Sequence, residues 1–191
     1  EKDLSLKKYH GQDEGVIDIW NPEKKLSNDH WMNKIFIETR NIIEDTFNFS
    51  KKGINYTHSN LYIYQNVCTP RCLHVDSYKE QYKCFIPLNP CLDIKKGCYS
   101  YVPKSHKFPL HLLQIFSRFL NFMIANSDLG FVPSGDGTLF HIDTAIPILV
   151  NPGDLVVTCQ KGIHGDFPSN KPLDRYVLVL NYTKGKWDFY V

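Results

Sequence analysis

Residues 145–183 read "AIPILVNPGDLVVTCQKGIHGDFPSNKPLDRYVLVLNYT", and this stretch decides the predicted fold. It contains three short runs of β-branched and apolar residues, "AIPILV", "DLVVTC" and "RYVLVLNYT". The turn-forming sequences "NPGD" and "PSNKP" separate these runs, and such a pattern predicts β-strands. Because no segment between the runs has a helical pattern, we expect the strands to be antiparallel.

Three runs upstream extend the same pattern. They are "NLYIYQNV" at 60–67, "YKCFIPLN" at 82–89 and "CYSYVPKS" at 98–105. Short strands with turn signals about every ten residues are typical of an antiparallel sandwich or barrel. The predicted fold class is therefore mainly β, with helices flanking the sheets.

Two segments have helical rather than β periodicity. Residues 27–47 predict a helix with cap candidates at Ser27 to Asp29 and with Gly53 beyond its C-terminal end. Its apolar stripe consists of Met32, Ile35, Phe36, Thr39, Ile42 and Ile43. A second amphipathic pattern, at about 108–126, predicts a helix that packs on the sheets or covers a pocket.

Composition limits the class of protein. The chain has 191 residues, of which 42% are hydrophobic and 14% aromatic, which suits one domain over 1–191. We expect a polar, irregular segment over 1–26 and a supporting helix to complete an N-terminal part, 1–55, with the β core at 56–191. A net charge of +2 predicts no nucleic-acid surface, and no apolar run is long enough to predict a membrane span. Six cysteines without a C-x-x-C pair predict mostly buried, reduced thiols and an intracellular, cytoplasmic protein.

The candidate functional residues begin with "RCLHVDSYKE", residues 71–80. On a strand, residues two apart point to the same face, so His74 and Asp76 can converge on one metal ion. One H-x-D pair is weak evidence and needs a third ligand, for which His164 is the candidate. If "PSNKP" joins an antiparallel hairpin, His164 lies opposite Arg175 or Tyr176.

These residues together indicate a metal chemistry. Two imidazoles and one carboxylate leave three positions of an octahedral ion open, which is the arrangement of non-haem Fe(II) oxygenases. A chelating cosubstrate takes two of these positions and O2 takes the last. Arg175 begins an apolar strand, where a buried guanidinium requires a carboxylate partner. We interpret that partner as the distal carboxylate of the cosubstrate.

From about residue 60 onward the sequence resembles the phytanoyl-CoA dioxygenase family of Fe(II)/2-oxoglutarate-dependent oxygenases. The resemblance rests on "HVD", "FIPLNPCLDIKKGCYSYVPKSHK", "NPGDLVV", "HGDFPSN" and "RYVLVLNY". It implies a double-stranded β-helix (a cupin-like jelly roll), with iron bound by His74, Asp76 and His164. It also implies that Arg175 binds the C5 carboxylate of 2-oxoglutarate. The expected reaction hydroxylates a small-molecule or acyl substrate with O2 and converts 2-oxoglutarate to succinate.

The sequence leaves rival interpretations open. Asp166 stands where many members of that family have a serine that assists 2-oxoglutarate binding, so this contact is in doubt. His141 and Asp143 form a second H-x-D pair, but they lie too close in sequence to His164 to be favoured as the iron pair. A zinc site that uses the C-x3-C-x-H pattern ending at His74 lacks a matching second half. The alternative function is a non-catalytic jelly-roll module that binds a ligand, or a cupin-like protein that binds another metal.

Overall fold

The structure is a computed structural model that describes residues 6–8, 15–68, 71–77, 79–113, 115–116, 141–169 and 171–185. The described residues form nine strands: β1 (Leu6–Lys8), β2 (Val16–Trp20), β3 (Ile54–Val67), β4 (Gln81–Pro87), β5 (Tyr99–Tyr101), β6 (Ile146–Pro147), β7 (Val156–Cys159), β8 (His164–Asp166) and β9 (Leu173–Lys184). Helix α1 spans Trp31–Phe47, and short 3-10 helices span Pro22–Lys24, Ser50–Lys52 and Ile142–Thr144. Within this described part, no helix is long and apolar enough to cross a membrane.

The strands form two antiparallel sheets. The larger sheet has the order β1-β2-β3-β9-β4-β7, and the smaller one has the order β6-β5-β8. The sheets meet where Phe85 of β4 packs against Tyr99 of β5, with ring centroids 4.8 Å apart. This mainly β, jelly-roll architecture confirms the fold class that the sequence predicts.

Strand β9, in the middle of the larger sheet, is buried on both faces. Its alternate residues Leu178 and Leu180 are fully buried in the cluster that α1 covers, together with Phe36 and Ile43 of the helix. The intervening residue Val177 faces the other way and lines the cavity between the sheets. Because both faces are covered, residues 177–180 of β9 form an uninterrupted apolar run.

Helix α1 differs from its prediction at its N-terminal end and on one face, whereas it ends as predicted, before Gly53. Its N-cap is His30, whose Nδ1 accepts a hydrogen bond from the Met32 amide, rather than a residue between Ser27 and Asp29. Asn48, with φ of 50°, ends the helix, and Gly53 ends the 3-10 turn that follows. Ile42 is 54% exposed although Ile43 is fully buried, because successive helical residues point about 100° apart and the sheet covers one side.

The N-terminal part also contributes to the sheet. Residues 1–26 were expected to be irregular, but β1 and β2 lie within them, and β2 pairs with β3 from Val16 to Trp20. The expectation was wrong because alternation in "VIDIW" is too short to stand out from its polar surroundings. Of the predicted helical insert, residues 110–113 and 115–116 are helical, and 117–126 lie outside the described residues.

The prediction that β8 and β9 form a hairpin around Asn170 is wrong. Strand β8 pairs with β5 in the smaller sheet, whereas β9 pairs with β3 and β4 in the larger one. The "PSNKP" segment therefore connects two sheets and does not set His164 opposite Arg175 in a ladder. Arg175 pairs in register with Tyr64 and reaches the same cavity as His164 from the opposite sheet.

Candidate metal centre

The three predicted metal ligands converge. One ligand atom from each of His74, Asp76 and His164 lies within 4.8 Å of the other two. His74 Nε2 is 3.2 Å from Asp76 Oδ1, and His164 Nε2 is 3.5 Å from Asp76 Oδ2. Among the described residues, this is the one cluster of three His, Cys, Asp or Glu side chains with such spacing.

Backbone pairing brings the two histidines together. The His74 amide donates to the His164 carbonyl at 2.7 Å, and the His164 amide donates back to the His74 carbonyl at 3.0 Å. Residues paired in this way across antiparallel segments place their side chains on the same face. The imidazole centroids are accordingly only 4.4 Å apart.

The ring orientations suit a metal ion. His74 Nδ1 lies 2.7 Å from the Cys72 carbonyl, and His164 Nδ1 lies 2.9 Å from the Gly162 carbonyl. A carbonyl only accepts, so each Nδ1 carries a proton and each Nε2 faces the Asp76 carboxylate. Burial lowers the pKa of His164 and favours its neutral form. Two Nε2 atoms and one carboxylate that converge, with both Nδ1 atoms held by carbonyls, are a donor set that fits a metal ion.

Two basic side chains contact the same carboxylate. Lys83 Nζ is 2.5 Å from Asp76 Oδ2, and Arg71 Nη1 is 3.2 Å from Asp76 Oδ1. Burial alone would raise the pKa of Asp76, but Lys83 and the two histidines outweigh it and hold the pKa well below its usual value. Sequence reasoning missed Lys83. Its signal was a lysine at an alternate, inward-facing position of the otherwise apolar run "YKCFIP".

Arg175 is paired with the chain's own carboxylate. Its Nη1 and Nη2 donate to Asp166 Oδ1 and Oδ2 at 2.8 and 2.9 Å, and Nη1 also donates to the Gly97 carbonyl at 3.2 Å. The Tyr64 ring covers the guanidinium at 4.1 Å. Burial would lower the pKa of Arg175, but the Asp166 charge outweighs it and raises the pKa. The buried arginine thus has a carboxylate partner, supplied by β8.

The Asp76 site and the Arg175–Asp166 pair both line the cavity between the sheets. His74, Asp76, His164, Asp166 and Arg175 all line it. Its other walls are largely aromatic and apolar and include Tyr62, Tyr64, Phe85, Tyr99 and Val177. A cavity with apolar walls and a few charged groups on one side is typical of a site for an organic ligand.

The rival sites differ from this arrangement. The side chains of His141 and Asp143 are 76% and 83% exposed and pair with each other at 2.9 Å in a 3-10 turn. Cys68 and Cys72 are exposed free thiols, whereas the metal-facing nitrogen of His74 points to Asp76. Of the six free cysteines, Cys84, Cys91 and Cys98 are buried, so the expectation of mostly buried thiols holds for half of them.

Comparisons with known proteins agree with the fold. No family model matches the sequence, and no curated protein matches it. Among solved structures, EvdO2 from Micromonospora carbonacea var. aurantiaca has a TM-score of 0.62 at 15% identity, over 93% of this chain and 71% of that one. EvdO2 has also been solved in complex with 2-oxoglutarate.

Two further solved structures, SnoN and HygX, are similar to this chain. SnoN, a non-heme α-ketoglutarate-dependent epimerase from nogalamycin biosynthesis, has a TM-score of 0.62 at 11% identity, over 94% of this chain and 65% of that one. HygX from Streptomyces hygroscopicus, with nickel and 2-oxoglutarate bound, has a TM-score of 0.57 at 13% identity, over 99% of this chain and 75% of that one. The chain therefore has the fold shared by these 2-oxoglutarate-binding and non-heme 2-oxoglutarate-dependent proteins.

Proposed function

We propose that this chain is an Fe(II)- and 2-oxoglutarate-dependent dioxygenase. The observation that carries the proposal is the convergence of two Nε2 atoms and one carboxylate, with both Nδ1 atoms held by backbone carbonyls. This ligand set, with open positions, is that of non-haem Fe(II) oxygenases. The likeness to SnoN and to the 2-oxoglutarate complexes of EvdO2 and HygX supports the same assignment.

The side chains have distinct tasks in this proposal. Iron, when bound by His74, Asp76 and His164, supplies a centre that chelates the 2-oxo acid and reacts with O2. The Cys72 and Gly162 carbonyls hold the two imidazoles in the tautomer that binds a metal. The Asp76 carboxylate offsets part of the metal charge. The apolar walls exclude water and position an organic substrate.

Hydroxylation of a small-molecule or acyl substrate, coupled to conversion of 2-oxoglutarate and O2 to succinate and CO2, is the proposed reaction. Asp76 retains the carboxylate that related halogenases replace with a small residue, and this favours hydroxylation over halogenation. SnoN and SnoK are described as an epimerase and a carbocyclase, so the fold also accommodates other oxidative outcomes. Arg175 is the proposed partner of the C5 carboxylate of 2-oxoglutarate, and to bind it there Asp166 must give way.

An anaerobic titration tests the proposal. Fe(II) and 2-oxoglutarate added to the intact protein are expected to give the weak visible charge-transfer band of an iron chelate. Asp76→Ala is expected to lose both the band and succinate formation. Full iron-dependent turnover by Asp76→Ala would contradict the assignment.

A non-catalytic jelly-roll module remains the second candidate, and one observation favours it. Both charged groups of the cavity are already neutralised within the chain, Asp76 by Lys83 and Arg175 by Asp166. Neither Asp76 nor Arg175 therefore requires a ligand as its counter-charge. This candidate predicts that Fe(II) and 2-oxoglutarate added together under anaerobic conditions give no charge-transfer band with the intact protein.

A further inference from the structure

We infer that Asp166 is a cosubstrate-specificity residue, which competes with the second carboxylate of a 2-oxo diacid for Arg175. The inference rests on the proposed function and deepens it. It assigns to Asp166 a preference of the site for 2-oxo acids that lack a distal carboxylate. The pocket then takes a 2-oxo monoacid at least as readily as 2-oxoglutarate.

The geometry of the pair supports this role. The two hydrogen bonds from Arg175 to Asp166, at 2.8 and 2.9 Å, form the bidentate fork that a ligand carboxylate would make. Both side chains are largely buried, with 14% of Arg175 and 6% of Asp166 exposed. Asp166 therefore occupies the position at which a guanidinium recognises a carboxylate.

Asp166 is also fixed beside the metal ligands. It lies two residues after His164 on β8, so both side chains face the cavity. Its amide donates to the Arg71 carbonyl at 2.9 Å, and its backbone pairs with Tyr99. The backbone thus cannot withdraw, and only rotation of the side chain frees Arg175.

Displacement of Asp166 gains little for a diacid. An incoming carboxylate replaces an equivalent fork, so the number of hydrogen bonds to Arg175 does not increase. Asp166 would be left as a buried carboxylate without its partner, which is strongly unfavourable. If both carboxylates stay near one guanidinium, their like charges repel each other in a poorly solvated site. A monoacid incurs neither cost.

The experiment compares 2-oxoglutarate with 2-oxopentanoate, which has the same chain length and a methyl group in place of the distal carboxylate. Each acid is titrated anaerobically into Fe(II)-loaded protein, and the charge-transfer band gives its Kd. In the wild type we expect the Kd of 2-oxoglutarate to be no lower than that of 2-oxopentanoate. In Asp166→Asn we expect the Kd of 2-oxoglutarate to fall at least tenfold, whereas that of 2-oxopentanoate changes less than threefold.

Two further variants keep the test decisive. Asp166→Ser removes the charge with a smaller side chain and is expected to repeat the result where Asp166→Asn does not fold. The double variant Asp166→Asn with Arg175→Gln is expected to lose the gain for 2-oxoglutarate, because the gain depends on a released guanidinium.

Two results would overturn the inference. One is a wild type that already binds 2-oxoglutarate at least tenfold more tightly than 2-oxopentanoate, since the distal carboxylate then has another partner, such as Lys83. The other is an Asp166 variant in which the ratio of the two Kd values is unchanged. Absence of the band with both acids, in a protein that binds Fe(II) by calorimetry, would instead refute the proposed function itself.

Discussion

Gly165 separates His164 from Asp166 on β8 and lies against the segment that carries the other histidine. A Cβ at this position would be 2.6 Å from the Cys72 carbonyl oxygen and 2.8 Å from the Leu73 amide nitrogen. Ordinary van der Waals contacts of a Cβ begin near 3.4 Å. The atoms in the way belong to the backbone, which cannot rotate aside, so Gly165→Ala must push β8 and residues 72–74 apart by up to about 0.8 Å, the difference between 3.4 and 2.6 Å.

This displacement predicts two measurable losses. Overpacking of a closely packed site costs about 1–3 kcal/mol of the free energy of unfolding. The affinity for metal should also fall, because the distances from a metal ion to its ligands tolerate errors of only about 0.2 Å. His74 and His164 lie on the two segments that move apart. We expect the affinity for Ni(II) or Fe(II) to fall about 10- to 100-fold, the range typical of changes to the groups that orient metal ligands.

Calorimetric titration with Ni(II) and urea denaturation measure these losses separately. Gly53→Ala is the matched control: its Cβ would meet nothing within 4 Å, and its φ of 69° limits the cost to backbone strain of about 1–2 kcal/mol. The control is expected to lose stability but to keep its metal affinity. The reasoning is refuted if folded Gly165→Ala binds Ni(II) within twofold of the wild type.

Three further predictions concern the metal site, the helix core and a buried histidine. Asp76→Ala should abolish Ni(II) binding in calorimetry, because it removes one ligand and its charge; retained binding would exclude the three-residue site. Ile43→Ala should cost about 2–5 kcal/mol in urea unfolding, whereas Ile42→Ala, at a 54% exposed position, should cost less than about 0.5 kcal/mol. Burial lowers the pKa of His58 to about 4. Between pH 4 and pH 6.5, the ordinary pKa of histidine, the unfolded state binds more protons at His58 than the folded state does. The free energy of unfolding should therefore rise with pH in this window. In urea denaturation at several pH values, His58→Gln should flatten that rise.

The strands and the long helix were predictable because their signals are local. Alternation in "NLYIYQNV" and the nearly unbroken apolar run of β9 depend only on neighbouring residues and on burial of one face or both. Which of Ile42 and Ile43 is buried could not be predicted from neighbouring residues, because it depends on the angle at which α1 lies on the sheet.

The pairing of strands was the part that the sequence did not reveal. The interpretation of "PSNKP" as a hairpin turn assumed that consecutive strands are neighbours, but β9 pairs with β3, whose residues lie more than 100 positions earlier. Nothing in either strand specifies so distant a partner, since apolar strands of similar length are interchangeable in sequence. Arg175 nevertheless lines the same cavity as His164, because the two sheets face each other across it.

The convergence of the candidate metal ligands was predictable and their basic partners were not, for a related reason. His74 and Asp76 are recognisable from a two-residue spacing, which any extended backbone turns into a common face. Lys83 reaches the same carboxylate from β4, and only the packing of the 71–77 segment against that strand creates the contact. Asp166 was noticed as a departure from a family pattern, but its fork with Arg175 needs the position of both sheets.

The internal charge pairs also lower the cost of burying charged groups in this cavity. An unpaired Asp76 or Arg175 would impose a large desolvation penalty in a site this enclosed. Lys83 and Asp166 offset part of that penalty within the chain itself. The same pairs must loosen when a metal dication approaches Asp76 or a carboxylate approaches Arg175. The pairing that stabilises Asp76 and Arg175 in the folded chain therefore competes with ligand binding at the same atoms.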